Sequence, residues 1–517
     1  MKQIEILWVD DEIDLLKPHI IFLETKGYKL ETVNNGSDAI DMVKEKVYDL
    51  IFLDENMPGL TGLETLAQIK DIRSAIPVVM ITKSEEEYIM DEAIGSKIAD
   101  YLIKPVNPKQ ILMAIKKITD QKRLVSEKTT SNYQSEFGKL GLQISDSMTA
   151  DEWKNTFKKL VYWELELEQS SGQQMDEVLK MQKTDANNSF AKFIKKNYVD
   201  WFNSDSESRP LMSPNVFQQK VFPMLNRGEQ VVTLVIDNLR FDQWKTIEPL
   251  LAQYYTVNDE DLFFSILPTA TQFARNSMFA GLMPSEIEKL HPQLWVNEDE
   301  EGGKNQFEAE LMQKQMARLG IKSSFYYNKI TNIEKGKKLL SNASQILNHQ
   351  LSVIVVNFVD MLSHARTEMD MKRELAGDES AYRSITLSWF EHSTLFELLK
   401  FLATKKVKVV ITTDHGTIRV NNPVKVTGDK NTSTNLRYKQ GKTLSYNAKN
   451  VFEVTNPQSI YLPKLNVSSS YIFAYADDFL AYPNNYNYYV GYYKNTFQHG
   501  GVSLEEMLIP LITLEPK

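Results

Sequence analysis

Carboxylate and imidazole side chains recur directly after apolar runs in the C-terminal half of the sequence. The run that begins at Val409 is followed by Asp414 and His415, and the run that begins at Val231 ends at Asp237. In an open α/β sheet, the carboxyl ends of the strands form the edge where ligands bind. Aspartate and histidine are metal ligands, although an aspartate after a strand is also a common helix N-cap. The repetition of the pattern favours a metal site at a sheet edge.

A third apolar run carries the same two residue types. Residues 353–360 read VIVVNFVD and predict a strand that ends at Asp360, and His364 follows four residues later. A helical turn between them places both side chains near one face, where they can share a cation. Near the C-terminus, His499 precedes two glycines, which let the backbone approach a ligand closely. Three of the seven histidines therefore lie at strand ends or beside a glycine turn.

A hydroxyl-rich turn lies between the apolar runs at 231–237 and 353–360. Residues 267–276 read LPTATQFARN, in which a proline and two threonines precede a predicted helix. Thr271 at the helix N-terminus would present its oxygen to an anion bound there. The alternative is that Thr269 or Thr271 only caps the helix.

These residues, in their order along the chain, resemble the alkaline phosphatase superfamily and specifically its PglZ branch. The resemblance covers roughly residues 226–517, including the HGG sequence at the end. It implies two zinc ions held by seven side chains. The first ion would be surrounded by Asp237, Thr271, Asp414 and His415 and the second by Asp360, His364 and His499.

The chemistry of this set agrees with the resemblance. Mixed carboxylate and imidazole ligands without a thiolate suit zinc or manganese, and the imidazoles favour zinc. A threonine hydroxyl is a poor nucleophile at neutral pH, but coordination to a divalent ion lowers its pKa. Thr271 would attack a phosphoester in line, and a second metal about 4 Å away would stabilise the leaving oxygen. Water would then hydrolyse the phosphothreonine, so we expect a zinc-dependent phosphodiesterase.

Short apolar runs alternate with helical patterns between residue 1 and about residue 120. That alternation predicts a doubly wound, flavodoxin-like parallel sheet. The predicted strands are Ile4–Val9, Leu50–Leu53, Val78–Thr82 and Tyr101–Ile103, and the predicted helices include Asp11–Lys26 and Gly62–Asp71. The polar residues at the strand ends, which should meet at one edge, are Asp10, Asp11, Asp54, Thr82 and Lys104.

Three carboxylates at one edge repel one another unless a hard cation lies among them, and Mg²⁺ takes few carboxylates plus waters. From the residues alone, Asp11 is also readable as a helix cap and Lys104 as a surface charge. The strand ends, the DENMPG sequence at residues 54–59 and the Lys104–Pro105 step resemble the receiver domain of response regulators. That resemblance implies that Asp54 accepts a phosphoryl group and that the Lys104–Pro105 peptide is cis.

The receiver resemblance also assigns roles to the neighbouring residues. Lys104 would pair with the acyl phosphate, and Thr82 with Tyr101 would form the switch pair. The implied Mg²⁺ ligands are Asp10, Asp11, Asp54 and the carbonyl of Asn56.

A helical region joins these two parts of the chain. The polar stretch from Arg123 to Thr149 predicts a linker. Thr149 and Glu152 form a capping box for a helix, and further helical patterns cover Gln173–Lys183 and Ser189–Phe202. A last helix is predicted to begin at residues 213–214 and end at residue 228. We expect a receiver at 1–122, a linker and helical bundle at 123–225 and an alkaline-phosphatase-like α/β domain at 226–517. The apolar stripes of the bundle form either its core or a partner-binding groove.

Two segments of the predicted catalytic region leave alternatives open. Residues 417–450 are either a lid, with Arg437, Lys439 and Lys442 meeting phosphate, or a long surface excursion. The tyrosine-rich segment from Tyr471 to Tyr493 either stacks nucleobases or forms half-exposed strands.

Composition excludes several classes of protein. The chain has 517 residues, of which 42% are hydrophobic, a formal net charge of −9 and no cysteine. The negative charge argues against a duplex-DNA binder. The absence of cysteine excludes disulfides and thiolate metal sites, and no apolar run approaches membrane-spanning length. We therefore expect a cytoplasmic protein without a signal peptide or membrane span.

The combination of receiver, helical middle and PglZ domain is similar to the PorX-type response regulators of type IX secretion. This resemblance implies a sensor histidine kinase as partner and a homodimer that forms on phosphorylation. With no helix-turn-helix evident, control of transcription would require a sigma factor or another protein. The favoured substrates are small phosphodiesters, such as cyclic or short linear oligonucleotides. The alternative is a signalling scaffold whose metal-bound PglZ domain binds a sigma factor or secretion component without turnover.

Overall fold

The computed structural model describes most of the chain in two compact units. It covers residues 4–73, 76–83, 98–169, 173–203, 209–297, 300, 302–368, 378–429, 432–464, 466 and 468–517, with the backbone alone for helical residues 119–127, 169, 173–174 and 364–368. The first unit comprises Met1–Tyr133 with Gln169–Gly172, and the second comprises Gln134–Glu168 with Gln173–Lys517.

The first unit contains the predicted doubly wound sheet. Its five parallel strands lie in the order β2-β1-β3-β4-β5, which is the flavodoxin-like order. The strands are β1 (Glu5–Val9), β2 (Lys29–Val33), β3 (Leu50–Asp54), β4 (Val78–Thr82) and β5 (Asp100–Ile103). The helices are α1 (Lys17–Thr25), α2 (Gly36–Glu45) and α3 (Gly62–Ile72).

Alternating side chains of these strands fill two cores, one on each face of the sheet. Leu7 and Leu53 belong to one buried cluster, whereas Trp8 and Phe52 belong to the other. Burial on both faces explains why the central strands β1, β3 and β4 are mostly apolar. The predicted helix from Asp11 is partly wrong, because a 3₁₀ turn at Ile13–Leu16 precedes α1.

The helical middle is more continuous than its sequence predicted. Helix α4 (Pro108–Gln143) runs through most of the polar stretch, so the segment predicted as a linker is helical. Polar composition does not exclude a helix whose residues have adequate helix propensity. Helix α5 (Ala150–Gln169) begins at the predicted capping box, in which the Glu152 amide donates to Thr149 Oγ1 at 3.3 Å.

The two patterns predicted after α5 form one helix, α6 (Gln173–Asn197), followed by a 3₁₀ turn at Asp200–Phe202. Buried Ala186 and Asn187 continue it across the gap between the patterns. The predicted last helix is instead a series of short turns. They are the 3₁₀ turn Ser213–Asn215, the π-helical turn Phe217–Val221 and helix α7 (Phe222–Asn226).

A six-stranded sheet organises the rest of the second unit. Its order is β7-β18-β10-β6-β9-β8. Strands β10, β6, β9 and β8 are parallel to one another, and β18 is antiparallel to both of its neighbours, β10 and β7. The strands are β6 (Val231–Ile236), β7 (Tyr255–Phe264), β8 (Phe325–Ile330), β9 (Leu351–Val356), β10 (Lys408–Thr412) and β18 (Leu508–Pro516). Every residue of the central strands β6 and β9 is buried.

Helices and three small sheets surround this sheet. The helices are α8 (Phe241–Leu251), α9 (Thr271–Ala280), α10 (Pro284–Leu290), α11 (Glu308–Arg318), α12 (Ile333–Ser341), α13 (Phe358–Glu368), α14 (Glu379–Glu391), α15 (Thr394–Thr404), α16 (Tyr486–Tyr493) and α17 (Leu504–Met507). The remaining strands are β11 (Ile418–Arg419), β12 (Asn422–Lys425), β13 (Tyr438–Gly441), β14 (Val451–Val454), β15 (Ser470–Ala474), β16 (Asp478–Ala481) and β17 (Phe497–Gln498).

Two predicted strands are partly helical. Strand β9 ends at Val356, and Asp360 lies in the first turn of α13. A short apolar run does not distinguish a buried strand from a buried helix. The tyrosine-rich segment forms strands β15 and β16 and then the helix α16. Tyr486, Val490 and Tyr493 pack against one apolar cluster with the spacing of a helix.

Among the described residues, no helix is both long and apolar enough to cross a membrane.

We expect the helical middle to depend on Trp153, which is fully buried in contact with Phe190 of α6 at a ring distance of 5.2 Å. Trp153→Ala should lower the free energy of unfolding by about 3–5 kcal/mol, because it leaves a cavity. Tyr162→Ala, at a site on the same helix that is 53% exposed, is the control. Urea unfolding followed by circular dichroism measures both changes. Equal stability of the two variants would contradict the packing described above.

Candidate functional site

Neighbouring strands deliver the first group of predicted ligands. Strands β6 and β10 are parallel and adjacent, with Val235 opposite Thr412, so both end at the same edge of the sheet. Asp237 follows β6, and Asp414 and His415 follow β10. One ligand atom from each of these three buried side chains lies within 4.8 Å of the other two. The structure therefore brings together two carboxylates and an imidazole from distant parts of the chain.

Thr271 joins this group from the first position of α9. Its Oγ1 lies 3.0 Å from His415 Nε2. The same nitrogen lies 3.8 Å from Asp237 Oδ1 and 3.7 Å from Asp414 Oδ2. Zinc bonds of about 2.0–2.1 Å would hold tetrahedral ligand atoms roughly 3.3 Å apart. The donor types and spacings thus fit a zinc-sized cation after small adjustments.

Asp237 supplies an independent sign that a cation fits. Its Oδ1 is buried and has no hydrogen-bond partner among the described residues. Burial raises the pKa of Asp237 well above its ordinary value, and the nearby Asp414 and Asp360 carboxylates raise it further despite the attraction of Arg275. A buried carboxylate oxygen that lacks a donor is costly unless it is protonated or binds a cation.

The second predicted group lies beside the first. His499 Nε2 is 3.9 Å from Asp360 Oδ1, and the His499 and His415 rings stack with centroids 4.2 Å apart. The side chain of His364 lies outside the part of the chain that the structure describes. Asp360 and His499 are therefore brought together, and the assignment of His364 stays a prediction.

Backbone carbonyls orient both imidazoles. His415 Nδ1 lies 3.0 Å from the Gly416 carbonyl, and His499 Nδ1 lies 3.1 Å from the Thr269 carbonyl. Because a carbonyl oxygen only accepts, each Nδ1 must carry the proton. When the rings are neutral, each Nε2 then has a lone pair that faces the carboxylates, as metal ligation requires.

The glycines of the HGG sequence allow the loop to pass close to its neighbours. Gly500 has φ +123°, and a Cβ there would lie 2.6 Å from Tyr438. A Cβ on Gly501 would lie 2.7 Å from the Ala474 carbonyl. Thr269 Oγ1 accepts from the Gly500 amide at 3.0 Å and so ties this loop to the turn that carries Thr271. A side chain at either position would therefore clash with its neighbours, and at Gly500 it would also strain the backbone.

The sequence predicts for residues 417–450 either a lid with three phosphate-binding basic residues or a surface excursion. The lid alternative is wrong for two of those basic residues, because both are buried. Arg437 is buried and donates to Glu506 through Nε at 3.1 Å and Nη2 at 2.6 Å. Lys439 is also buried and donates to the Ser433 carbonyl at 3.0 Å. Glu506 in turn accepts from the Gly501 amide at 2.8 Å. Arg437 therefore stabilises the loop that carries His499 through Glu506, and Lys439 stabilises the segment around Ser433.

The sequence analysis did not find Arg275, which is the central charge of the site. Its guanidinium is fully buried, with Nη2 bonded to Asp237 and 3.0 Å from Asp414 Oδ2. Its Nη1 lies 3.2 Å from Glu308. Burial opposes ionisation of Asp414, but Arg275 outweighs that effect and the pKa of Asp414 is below its ordinary value. The available signal was that Arg275, one turn after Thr271, is the only charged residue of α9.

Helix α6 and Tyr198, which directly follows it, contact two loops of the site. The Tyr198 hydroxyl accepts from the Leu267 amide at 2.7 Å, at the start of the loop that leads to Thr271. Asn187 accepts from the Leu504 amide at 2.8 Å and donates to Glu505 at 3.0 Å, directly after the HGG sequence. All these contacts lie within the second unit. The helical middle thus positions both Thr271 and His499.

A second carboxylate cluster occupies the predicted edge of the receiver sheet. Ligand atoms of Asp10, Asp11 and Asp54 lie within 4.8 Å of one another. Lys104 Nζ lies 3.0 Å from Asp10 Oδ2 and 2.9 Å from Asp54 Oδ1. Burial raises the pKa of Asp54 to about 6, with repulsion from Asp10 and against the attraction of Lys104. The Lys104–Pro105 peptide is cis, as predicted.

The remaining receiver residues lie around this cluster. Thr82, at the end of β4, donates a hydrogen bond to buried Glu55, a contact that the sequence analysis did not anticipate. Tyr101 is 38% exposed and Asn56 is exposed. Glu55 directly follows Asp54, and that adjacency was the only signal for it.

The fold and the two carboxylate centres define a class of protein, a response-regulator receiver joined to a phosphoesterase-like α/β domain. Residues 216–514, more than half of the chain, match the family described as the BREX system PglZ alkaline phosphatase-like domain. The chain belongs to the PglZ family. Residues 123–202 match the PorX response regulator linker domain, and residues 6–116 match the response regulator receiver domain.

Curated relatives resemble a smaller part of the chain. The transcriptional regulatory protein ZraR of Klebsiella oxytoca is 34% identical over 140 residues, which are 27% of this chain and 32% of that protein. A CpxR homolog of Haemophilus influenzae is 38% identical over 116 residues, 22% of this chain and 49% of that protein. The chain therefore spans about a third to a half of the length of these relatives.

Solved structures of receiver proteins also match. Chemotaxis protein CheY4 of Vibrio cholerae is 26% identical, with a TM-score of 0.22, over 23% of this chain and 99% of that chain. A two-component response regulator of Clostridium difficile is 31% identical, with a TM-score of 0.22, over 22% of this chain and 95% of that chain.

Replacement of Arg275 tests the charge balance of the site. Arg275→Met should lower the free energy of unfolding of chelator-treated protein by about 3–5 kcal/mol, because it leaves buried carboxylates without their cation. Arg227→Met is the control, since that side chain is 59% exposed and pairs with Glu229 at the surface. Urea unfolding measures both. An Arg275→Met protein as stable as the control would contradict the role given to the guanidinium.

Proposed function

We propose that this protein is a response regulator whose output domain is a zinc-dependent phosphodiesterase with Thr271 as its nucleophile. The observation that carries the proposal is the position of Thr271 Oγ1, 3.0 Å from His415 Nε2 and beside two buried carboxylates. A hydroxyl at the first position of a helix also faces the positive end of the helix dipole, which favours a bound phosphate.

Seven side chains would hold two zinc ions. Asp237, Thr271, Asp414 and His415 would surround one ion, and Asp360, His364 and His499 would surround the other. When bound, zinc would lower the pKa of the hydroxyl and neutralise charge that develops on the phosphoryl group. In the receiver, Mg²⁺ would be held by Asp10, Asp11, Asp54 and the carbonyl of Asn56.

The residues around Thr271 suit a double displacement. Thr271 Oγ1 would attack phosphorus in line, forming a P–O bond while the bond to the leaving alkoxide breaks and that oxygen takes a proton. Water would then attack the phosphothreonine, break its P–O bond and restore the hydroxyl. The contacts of His415 with Gly416 and of His499 with Thr269 hold both rings in place during these steps.

The charge distribution supports a diester as substrate. Arg275 is committed to Asp237, Asp414 and Glu308, and Arg437 is committed to Glu506. Among the described residues, no hydrogen bond or ion pair joins a lysine or arginine to Thr271. A monoester dianion needs more positive charge than a diester monoanion. We therefore propose small phosphodiesters, including cyclic or short linear oligonucleotides, as substrates.

The receiver supplies the proposed input. A sensor histidine kinase would phosphorylate Asp54, and phosphorylation would promote a homodimer. The match to the PorX linker domain supports a role in control of type IX secretion, through a sigma factor or a secretion-system component.

Thr271→Ala should abolish hydrolysis of bis(p-nitrophenyl) phosphate by zinc-loaded protein while most of the zinc stays bound, because the hydroxyl is one ligand among several. A loss of at least about 10³-fold is expected for removal of a nucleophile. Thr271→Ser, which keeps a hydroxyl, is the matched control and should retain measurable turnover.

Three further measurements complete this test. Chelation should stop turnover of the unaltered protein and zinc should restore it, with p-nitrophenyl phosphate as the monoester comparison. Undiminished turnover by the Thr271→Ala variant would show that Thr271 is not the nucleophile. Failure of zinc-loaded protein to hydrolyse either ester would favour a signalling scaffold.

Asp54→Ala should abolish labelling of the protein by acetyl phosphate with Mg²⁺, because it removes the carboxylate that accepts the phosphoryl group. Asp71→Ala, at an exposed aspartate near the end of α3, is the control and should label normally. Intact-mass spectrometry detects the label, and size-exclusion chromatography detects the dimer. Full labelling of Asp54→Ala would contradict the assignment of Asp54.

A further inference from the structure

A polar cavity lies between the edge strand β8 and helix α12, both in the second unit. Its volume is about 350 Å³. Tyr326, Asn328 and Lys329 line it from β8, and Lys335, Lys338 and Asn342 line it from α12 and the residue after it. That volume is at the lower end of the range for small-molecule sites.

The helical wall of the cavity presents donors on one face. Lys335, Lys338 and Asn342 are spaced three and four residues apart, so their side chains share one side of the helix. Among the described residues, no ion pair is formed by Lys335 or Lys338, and both are exposed. Two neighbouring ammonium groups without a counter-ion repel each other, and an anion between them would remove that repulsion.

The opposite wall, strand β8, adds an amide and a hydroxyl group. Asn328 Nδ2 and the Tyr326 hydroxyl lie 3.3 Å apart at the cavity. Lys329 also lines it, and its ammonium is 2.9 Å from Glu308, which contacts Arg275. The lining therefore combines ammonium, amide and hydroxyl donors. Among the described residues, Lys329 is the one lysine of the lining that pairs with a carboxylate.

We propose that this cavity is an accessory binding site for a small molecule that carries a phosphate group. Phosphate oxygens accept several charge-assisted hydrogen bonds at once, which matches paired ammonium groups flanked by amide and hydroxyl donors. Tyr326 beside the amines would contact an attached ring or carbon chain. Neither Thr271 nor any proposed zinc ligand lines the cavity, and the proposal does not depend on phosphodiesterase activity.

Inorganic phosphate and phenyl phosphate are the probes, titrated into the chelator-treated full-length protein and followed by ³¹P NMR. Chelation removes the contribution of the proposed metal centre. The double variant Lys335→Gln/Lys338→Gln should raise Kd by at least about tenfold, since it removes both ammonium groups that would donate charge-assisted hydrogen bonds to the phosphate. The control is Lys322→Gln/Lys337→Gln, which removes two positive charges from exposed positions outside the cavity lining and should change Kd by less than about twofold.

Labelling of lysines in the unaltered protein tests the same site without a variant. Phosphate should slow acetylation of Lys335 and Lys338 by acetic anhydride and leave Lys337 unchanged, as quantified by peptide mass spectrometry. The proposal is overturned if neither probe binds at millimolar concentration. It is also overturned if the two double variants weaken binding equally, or if phosphate protects none of the lining lysines.

Discussion

The structure depends on the compensation of negative charge buried at one edge of the six-stranded sheet. Asp237 and Asp414 follow adjacent strands and share the guanidinium of Arg275, which is itself fully buried. Isolated buried carboxylates are unstable, and their pKa values rise until they are protonated or paired. Arg275 satisfies one oxygen of Asp237, while Oδ1 stays without a donor among the described residues. The remaining acceptor capacity, together with Thr271 and the imidazoles, makes this edge a site for a cation and a phosphoester.

A second set of contacts keeps the loops of this site in place. Thr269 Oγ1 accepts from the Gly500 amide and donates to the Gly501 carbonyl, both at 3.0 Å, so the turn before Thr271 is tied to the loop after His499. Glu506 accepts hydrogen bonds from the Gly501 amide and from the buried guanidinium of Arg437. Positioning of reacting groups to within a fraction of an ångström is a large part of phosphoryl-transfer catalysis. Hydrogen bonds from Asn187 of α6 and from Tyr198, which follows it, connect both loops to the helical middle of the chain.

Much of the site could be predicted because it lies where parallel strands end. Asp237, Asp414 and His415 follow apolar runs, and the topology of an α/β sheet brings such positions together. Asp360 was predicted as a ligand type, but its strand was not distinguished from the helix that contains it, since burial removes the periodicity that separates the two. Arg275 and Glu55 were missed for another reason. Each acts through a neighbour that is distant in sequence or belongs to another element, and a single sequence carries no record of that contact.

The central claim is that the hydroxyl of Thr271 forms a covalent bond to phosphorus. Rapid acid quench of zinc-loaded protein during turnover of a phosphodiester, followed by peptide mass spectrometry, tests it directly. The account predicts a phosphoester adduct on the peptide that contains Thr271, present during turnover and absent after the substrate is exhausted. Turnover without an adduct on Thr271, combined with inversion of configuration at phosphorus in a chiral phosphorothioate diester, would mean direct attack by water and would contradict the account.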